Sequence, residues 1–534
     1  MFFKKISETQ KNVFVKDIIF FAVIWAALNI FSAVYMLKTR SIYFWDSATY
    51  WSIIRGIASG SINHTPKDIY DSIAALDYNY IAALPGAVWT RVFGETRLSY
   101  IMGLTNMYLI PALIAVYIIS KRISKRAMFS EILVILLIPT LIFLTVIGFT
   151  DVGGIFPCMI CMYLYFVKDD DKDELWRFAV IGALLVFVIL WRRWFAFFSV
   201  SFIAASFADA LIFRKKILPP IITAVTSGII LMLFFRNFVF QKLLTDYSAL
   251  YAGYKFSMSV DFKLITRYFG VITLLAAGVG SVLSGIYKKE KRVVFLWTQM
   301  LVCFVMFTST QTHGQQHLLL YIPSLIMLAI ILSDNCDDKR VITAISVLAI
   351  LNTANVYIPR TQPGSIREIK HYAVIPDFSM LPVVKEGTDD IIKLKHTLDN
   401  FVEEGKTLGV LASSFTINDD ILRNVEPSVG IKPEREDYII ALPQVDSRDK
   451  DMTPLYNADY IIAAFPPQTH LEPENQRVIT QAVASFAEFS DFAHAFEEIP
   501  EMNAGLQNIE LKLYRRIRDV SEIERAEFEE KLNN

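Results

Sequence analysis

The sequence lacks the signatures of most soluble enzyme classes. It has only four cysteines, none in its hydrophilic C-terminal part, so no disulfide framework is expected there. It has no G-x-x-x-x-G-K-[ST] loop and no G-x-G-x-x-G motif after a predicted strand, which argues against a bound nucleotide. Lysine plus arginine (52) nearly equals aspartate plus glutamate (53), and this balance predicts no nucleic-acid partner.

Apolar residues are abundant instead. The chain is 54% hydrophobic, and its mean hydropathy of +0.41 is typical of a membrane protein. About eleven stretches are long enough to cross a bilayer, and we expect a polytopic α-helical membrane domain over residues 18–358. These stretches lie near residues 18–37, 99–119, 128–148, 152–167, 177–191, 195–213, 217–235, 268–287, 293–310, 318–333 and 341–358.

Basic residues predict the orientation, because short cytoplasmic loops are enriched in lysine and arginine. The N-terminal segment 1–17 is lysine-rich, and no signal-peptidase-like site follows the first apolar run, so a retained anchor with a cytoplasmic N-terminus is expected. Alternation then also places the remaining basic clusters inside, at Lys121 to Arg126, Arg214 to Lys216, Lys288 to Arg292 and Lys339 to Arg340. The long loop 38–98 and the tail 359–534 fall outside.

One carboxylate lies within an aromatic stretch of that outer loop. In "SIYFWDSATYW", Asp46 is surrounded by tyrosine, phenylalanine and tryptophan. It has two interpretations: the N-cap of an interfacial helix, or a general base beside an acceptor hydroxyl. Asp151, in "GFTDVGG", is similarly either a turn residue or a second acid on the same outer face.

Arg192 and Arg193 interrupt a long apolar run at a predicted outer turn, against the positive-inside trend. They either snorkel to lipid phosphates or form an outward anion site, for which the planar guanidinium is well suited. The segment "TQTHGQQH" adds His313, Gln316 and His317 to the same face. Hydrogen bonding to a phosphate or a sugar fits these side chains better than a zinc site, since no acid is nearby in the sequence; a hydrated structural loop is the other interpretation.

The C-terminal part has a different pattern. Apolar β-prone runs alternate with helical patterns, which predicts a small α/β domain with a mostly parallel sheet over 359–534. The predicted strands lie in Thr407 to Ser413, Asp437 to Pro443, Asp459 to Phe465 and Ile509 to Arg516. Loops at the carboxyl ends of such strands commonly bind ligands, and "AAFPPQTHL" is one that would guide an acceptor.

This layout resembles the GT-C glycosyltransferase superfamily, in particular the protein O-mannosyltransferase and lipid A aminoarabinose transferase families. The resemblance rests on Asp46 in a long outer loop after the first span, Asp151 between the third and fourth spans, and an outer C-terminal domain. It implies a polyprenyl-phosphate-linked sugar as donor and Asp46 as the base of an inverting transfer. Asp151 would position donor or acceptor, and the lipid phosphate would contact the arginines or histidines.

The chain also departs from that pattern. Those families often have Asp-Glu in loop 1, whereas Ser47 follows Asp46 here. No cofactor is required by the resemblance, although the oligosaccharyltransferase branch uses a divalent metal; the Trp-Trp-Asp signature of that branch is missing, since the last tryptophan is Trp297. The acceptor class stays open among surface polysaccharide, teichoic acid, lipid and protein.

Two other functions fit a polytopic protein with polar outer groups. One is a transporter or flippase of lipid-linked sugars, which would favour repeated halves and midplane polar sites. The other is a non-catalytic envelope assembly protein. The polar residues cluster at one face and no repeat is evident, so a transferase in a bacterial plasma membrane is the favoured interpretation.

Overall fold

The computed structural model describes residues 8–166, 174–335, 338–360, 369–433, 435 and 438–533. The N-terminal lysines Lys4 and Lys5 lie outside the described residues. Every predicted apolar stretch coincides with helix in the described chain. The helices up to residue 356 are α1 (Glu8–Lys38), α2 (Trp45–Ser59), α3 (Pro66–Ala75), α4 (Leu84–Phe93), α5 (Arg97–Leu104), α6 (Ile110–Ile123), α7 (Ala127–Leu137), α8 (Thr140–Val146), α9 (Ile155–Phe166), α10 (Leu175–Trp191), α11 (Ala196–Ile212), α12 (Leu218–Phe234), α13 (Arg236–Phe238), α14 (Tyr247–Leu250), α15 (Met258–Phe269), α16 (Val271–Tyr287), α17 (Arg292–Thr310), α18 (Ile322–Asn335) and α19 (Lys339–Val356).

The expected number of about eleven spans is not confirmed. By length and composition, 4 helical segments of the described chain suffice to cross a bilayer, and up to 7 if each bent pair counts as one span. The bent pairs are α7 with α8 (63°), α12 with the segment Arg236–Leu243 (100°), and α15 with α16 (87°). Three further apolar helices are shorter. The chain is a multi-pass membrane protein whose helices are often broken or short, so hydropathy alone overcounts straight crossings.

The long loop between α1 and α5 contains the expected short helices, α2 and α4, and one more, α3. Helix α3 begins with a capping box in which the Thr65 side chain and Asp68 satisfy each other's backbone N–H groups. Helix α2 packs against α4, and Tyr50, Trp51 and Ile54 on its inner face are buried. The aromatic residues of "SIYFWDSATYW" are therefore partly core residues, because Tyr43 and Trp51 meet edge to face at 5.2 Å.

The C-terminal part is an α/β unit, as predicted, with a mixed sheet. Its helices are α20 (Thr388–Phe401), α21 (Asp419–Ser428), α22 (Thr453–Asn457), α23 (Arg477–Glu488) and α24 (Glu522–Asn533). Its strands are β1 (Leu408–Leu411), β2 (Ile439–Ile440), β3 (Tyr460–Phe465), β4 (Phe496–Glu498), β5 (Ala504–Leu506) and β6 (Ile509–Arg516). The boundary at 359 and the location of this unit outside the cytoplasm stay predictions.

The prediction of a mostly parallel sheet is wrong. Strand β1 pairs in parallel with β2 and β3, whereas β6 pairs antiparallel with β3, β4 and β5. The order is β2-β1-β3-β6-β4, with β5 beside β6. The reason is that β4 and β5 have three residues each, too few to show a strand pattern, and they bring the chain back to β6 without a crossover helix.

The carboxyl ends of β1, β2 and β3 point toward the membrane helices. The loops that follow these strands contribute Phe415, Leu442 and His470 to a cavity that Asp46 also lines. Ile42, in the segment that leads to α2, belongs to the hydrophobic cluster of the C-terminal unit. The sheet, the loops that follow its strands, and the loop between α1 and α5 thus meet at one place in the fold.

Candidate active site

Asp46 lies at the wall of the cavity with both of its carboxylate oxygens occupied. Its Oδ1 accepts a hydrogen bond from the Tyr78 hydroxyl, and its Oδ2 accepts from Arg192 Nη2 at 3.1 Å and from Gln316 Nε2 at 3.1 Å. The N-cap interpretation is wrong, because Phe44 is the N-cap of α2 and Asp46 is the second residue inside the helix. A helix dipole still favours a carboxylate in this first turn.

Arg192 connects the two predicted acids. It lies at the end of α10, where it donates from Nη2 to Asp46 and from Nε to Asp151 Oδ1 at 3.0 Å. Asp151 is fully buried, in the 3₁₀ turn Thr150–Gly154. A Cβ at Gly153 would approach the Trp191 ring to 2.2 Å, so only glycine lets this turn come close to the end of α10. Arg192 is buried, and the snorkelling interpretation is wrong for it.

Arg193 faces a different part of the cavity wall. Its guanidinium lies 4.1 Å from the Tyr247 ring centroid and donates to the Tyr251 hydroxyl at 2.6 Å. It also pairs with Asp77 Oδ1 at 2.9 Å, which Lys242 Nζ contacts at 2.7 Å. Two cations therefore share one half-exposed carboxylate, which leaves a net positive charge on this wall.

His313 is separated from the cavity. Its imidazole is fully buried, with Nδ1 2.6 Å from Asp261 Oδ1 and Nε2 2.6 Å from the Tyr321 hydroxyl, and it stacks on Phe307 at 4.4 Å. The expectation that His313 contacts a ligand is therefore not met by the geometry. Sequence inspection missed Asp261 because it lies on α15, far from His313 in the chain.

His317 and Gln316 do line the cavity. They belong to the 3₁₀ segment Gln315–Leu320, so the two histidines do not share a helix face. His317 Nδ1 accepts from the Gly314 N–H at 2.8 Å, and its ring packs edge-on against Trp194 at 5.3 Å. His317 therefore has a fixed ring position beside the arginine-bearing turn.

The cavity has a volume of about 1600 Å³ and is lined both by membrane helices and by the C-terminal loops. Its apolar walls come from residues of α10, α11 and α12 such as Ile189, Val200 and Leu231. A site that combines apolar walls with a few convergent polar groups suits an amphipathic ligand. The charged and polar lining includes Asp46, Asp77, Arg192, Arg193, Lys242, Arg267, Gln316, His317, Lys385, Asp419, Asp420, Arg448, Asp449, Lys450, Asp451 and His470.

His470 belongs to the roof of the cavity, in the loop after β3. Its Nδ1 lies 2.9 Å from Ser413 Oγ and its Nε2 lies 3.2 Å from the Tyr254 hydroxyl, and its ring packs on Trp45 with centroids 4.6 Å apart. Burial lowers the pKa of His470 to about 4. The imidazole is therefore neutral at pH 7 and acts as a hydrogen-bonding and packing group.

One group of potential metal ligands occurs in the described residues, away from this cavity. His396, Asp399 and Glu426 offer ligand atoms within 4.8 Å of one another. Lys395 already occupies the group, since its Nζ lies 2.5 Å from Asp399 and 3.6 Å from Glu426. An ammonium in the middle of the acids does not fit a resident cation, and none of the three residues lines the cavity.

The structure adds residues that the sequence did not reveal. Tyr78 contacts Asp46, Asp77 contacts Arg193, and Lys242 contacts Asp77. All three lie in an amphipathic loop or at a bent helix, where tyrosine, aspartate and lysine are ordinary. Asp420 is a further acid at the cavity wall. The available signal for Asp420 was its place at the start of α21, the helix that follows the carboxyl end of β1.

The comparisons with known proteins concern the fold. No protein-family model and no curated protein sequence matches the chain. The structure is similar to ArnT from Cupriavidus metallidurans, a lipid A aminoarabinose transferase, in the apo state, with a TM-score of 0.55, 12% identity, and coverage of 92% of this chain and 97% of that chain. It is similarly close to ArnT bound to undecaprenyl phosphate, with a TM-score of 0.54, 10% identity, and the same coverage.

A more distant likeness is to the oligosaccharyltransferase AglB from Archaeoglobus fulgidus, in complex with an inhibitory peptide and a dolichol-phosphate. Its TM-score is 0.42 and its identity 13%, with 89% of this chain and 72% of that chain covered. ArnT and AglB both belong to the GT-C superfamily. At these identities the likeness to ArnT shows the fold, and the predicted GT-C architecture is confirmed.

Proposed function

We propose that this protein is an inverting glycosyltransferase that moves a monosaccharide from a polyprenyl-phosphate donor to an acceptor hydroxyl outside the cytoplasm. The observation that carries the proposal is the Asp46 carboxylate, held by Arg192 and Gln316 at the wall of a large amphipathic cavity. A ligand with a long apolar chain, a phosphate and a sugar matches such walls. The fold is similar to that of ArnT, which has been crystallised with undecaprenyl phosphate.

In the proposed reaction, Asp46 removes the proton of the acceptor hydroxyl. The acceptor oxygen attacks the anomeric carbon as the bond from that carbon to the phosphate oxygen breaks. The leaving polyprenyl phosphate keeps the electron pair of the broken bond, and the proton stays on Asp46 until water takes it. A single displacement of this kind inverts the anomeric centre. No nucleotide is needed, because the phosphate is already the leaving group.

The positive wall receives the lipid phosphate in this proposal. Arg193 and Lys242 have the Asp77 carboxylate in common, so an anion beside these two cations gains charge-assisted hydrogen bonds. His317 and Gln316, beside the arginine-bearing turn, contact the sugar or the phosphate. In this proposal Arg193 and His317 contact the ligand, and His313 does not.

Arg192 and Asp151 have a supporting role in the same scheme. Asp151 is buried behind Arg192 and has no access to the cavity, so it fixes the guanidinium that in turn orients Asp46. Asp151 is thus a positioning residue for Asp46 rather than a second base.

We further propose that residues 18–358 form the membrane domain of a bacterial plasma-membrane protein, that the N-terminus is cytoplasmic, and that residues 359–534 form the outer domain. Surface polysaccharide, teichoic acid, lipid or protein is the acceptor. The basic loops at Lys121 to Arg126 and Lys288 to Arg292 support this orientation.

Reconstitution tests the proposal against a flippase and against a non-catalytic assembly protein. The full chain is placed in vesicles with a radiolabelled polyprenyl-phosphate monosaccharide and total envelope extract as acceptor. We expect label to move to a non-lipid or new lipid product, and mass spectrometry of that product names the sugar. Movement of intact sugar lipid between leaflets without any product would identify a flippase, and neither event would favour an assembly protein.

A further inference from the structure

Helix α21 of the C-terminal unit holds the segment that leads to Asp46 at two points. The Trp45 backbone N–H donates to Asp420 Oδ2 at 2.7 Å, near the start of α21, and the Tyr43 N–H donates to Ser428 Oγ at 3.3 Å, at its end. Ile42 is buried in the same apolar cluster as the inner face of α21. The helix therefore lies along residues 42–45 and holds this segment in place.

The Asp420 contact replaces a missing helix cap. The first N–H groups of a helix have no partner within the helix, and Phe44, at the N-cap of α2, has no side-chain acceptor to offer. Asp420, which lies 375 residues away along the chain, provides the acceptor. Arg423 Nη1 contacts the other carboxylate oxygen of Asp420 at 2.9 Å and fixes its orientation.

Trp45 requires such support because its backbone is in the left-handed region, with φ of 50°. This conformation is rare for a bulky L-residue and is kept only where the surroundings enforce it. The Trp45 ring packs on Phe415 at 5.1 Å and on His470 at 4.6 Å, both from the C-terminal unit. The turn at Trp45 directs the next side chain, Asp46, toward the cavity.

We infer that Asp420 is a positioning residue for Asp46: it caps α2 across the two parts of the protein and so makes the C-terminal unit a component of the active site. The inference rests on the proposed function for its kinetic consequence. The contact itself does not depend on what reaction Asp46 performs. Removing the acceptor at position 420 would release the turn at Trp45 and spread the orientations of Asp46.

The first test compares Asp420→Ala with Asp420→Asn. We expect Asp420→Ala to lower kcat by about tenfold, from the typical effect of losing a cap. The donor KM should stay unchanged, because the hydrogen bonds of Asp420 are with Trp45 and Arg423 and not with Arg193 or Lys242. Asp420→Asn keeps an oxygen acceptor of the same size and should recover most of kcat. The control is Asp390→Ala, an exposed acid on α20 whose ion pair is with Lys393.

The second test reads the contact without any assay of activity. Hydrogen–deuterium exchange of the peptide that contains Trp45 should become about tenfold faster in Asp420→Ala and stay unchanged in Asp390→Ala. If this exchange accelerates while wild-type protein transfers no sugar, then Asp420 does cap α2 and the proposed function is wrong. Unchanged kcat and unchanged exchange in Asp420→Ala, or an Asn variant as impaired as the Ala variant, would overturn the positioning role.

Discussion

Arg192 donates a hydrogen bond to Asp46 at 3.1 Å from one end of its guanidinium, while the other end is committed to a buried acid. These two contacts give Arg192 a structural role at the break in the apolar run between α10 and α11. The planar fork donates to the two carboxylates from two nitrogens that are held rigidly in one plane. The orientation of the proposed base therefore depends on a turn that lies far from it in the sequence.

Replacing Arg192 by methionine should destabilise the protein strongly, because Asp151 would be left buried without its cation. We expect a loss of about 3–5 kcal/mol in the free energy of unfolding. Adding Asp151→Asn to that variant should restore part of the loss, since the buried group no longer carries a charge. Thermal unfolding in detergent measures both, with the exposed Arg91→Met as control. A double variant no more stable than Arg192→Met would contradict the bridge.

Substitutions of Lys242 and Asp77 should change the affinity for a polyprenyl phosphate in opposite directions. Lys242→Ala should weaken binding of a polyprenyl phosphate by about five- to tenfold. Asp77→Asn should tighten it by about two- to fivefold, because Arg193 and Lys242 lose the carboxylate that competes with the ligand, and the effect should shrink as salt is raised. Ligand-dependent thermal stabilisation measures the affinities. Lys67→Ala, an exposed lysine on α3, is the control, and weaker binding in Asp77→Asn would argue against this phosphate site.

The two histidines of "TQTHGQQH" should respond differently to substitution. His313→Ala removes a buried partner of Asp261 and should cost about 2–3 kcal/mol of stability, with the kcat of the protein that remains folded nearly unchanged. His317→Ala should leave the unfolding temperature closer to wild type and raise the donor KM, since its ring lines the cavity. Paired melting curves and kinetics test this. A raised donor KM in His313→Ala, with the larger loss of stability in His317→Ala, would indicate that His313 contacts the ligand.

His470 makes stability depend on pH. Burial lowers the pKa of His470 to about 4 in the folded protein, against 6.5 for an ordinary histidine. Between these two pH values the imidazole is protonated in the unfolded chain and neutral in the folded protein. The contribution of His470 to stability therefore rises as pH rises from about 4 to 6.5. The difference in unfolding temperature between wild type and His470→Gln should grow over this range. The exposed His371→Gln serves as control, and a pH-independent difference would contradict a buried neutral ring.

The sequence predicts the helical framework well, because long apolar runs have few alternatives to helix. Charge alternation along the sequence also predicts that Asp46, Asp151 and Arg192 lie on one face. The bends of the spans were not predicted from hydropathy; one lies at Phe235 and another at Gly270, whose φ of 78° favours glycine. The short strands β4 and β5 were missed for lack of length.

The exact contacts of the site were beyond sequence reasoning for a different reason. His313 and His317 have the same residue type and neighbouring positions, yet packing on Phe307 and the pairing with Asp261 bury only the former away from the cavity. Asp77 and Asp420 look like solvated acids until the tertiary fold places cations or a helix start beside them. Such assignments depend on side chains hundreds of residues apart.

The most direct test of the central claim is sugar transfer by purified Asp46→Asn protein from a polyprenyl-phosphate monosaccharide. Asparagine keeps the hydrogen-bonding shape but cannot take a proton, so transfer should fall by about 10²- to 10⁴-fold while binding of the lipid phosphate persists. Asp71→Asn, an exposed acid of the same loop, should behave as wild type. Transfer by Asp46→Asn at the wild-type rate would contradict Asp46 as the base.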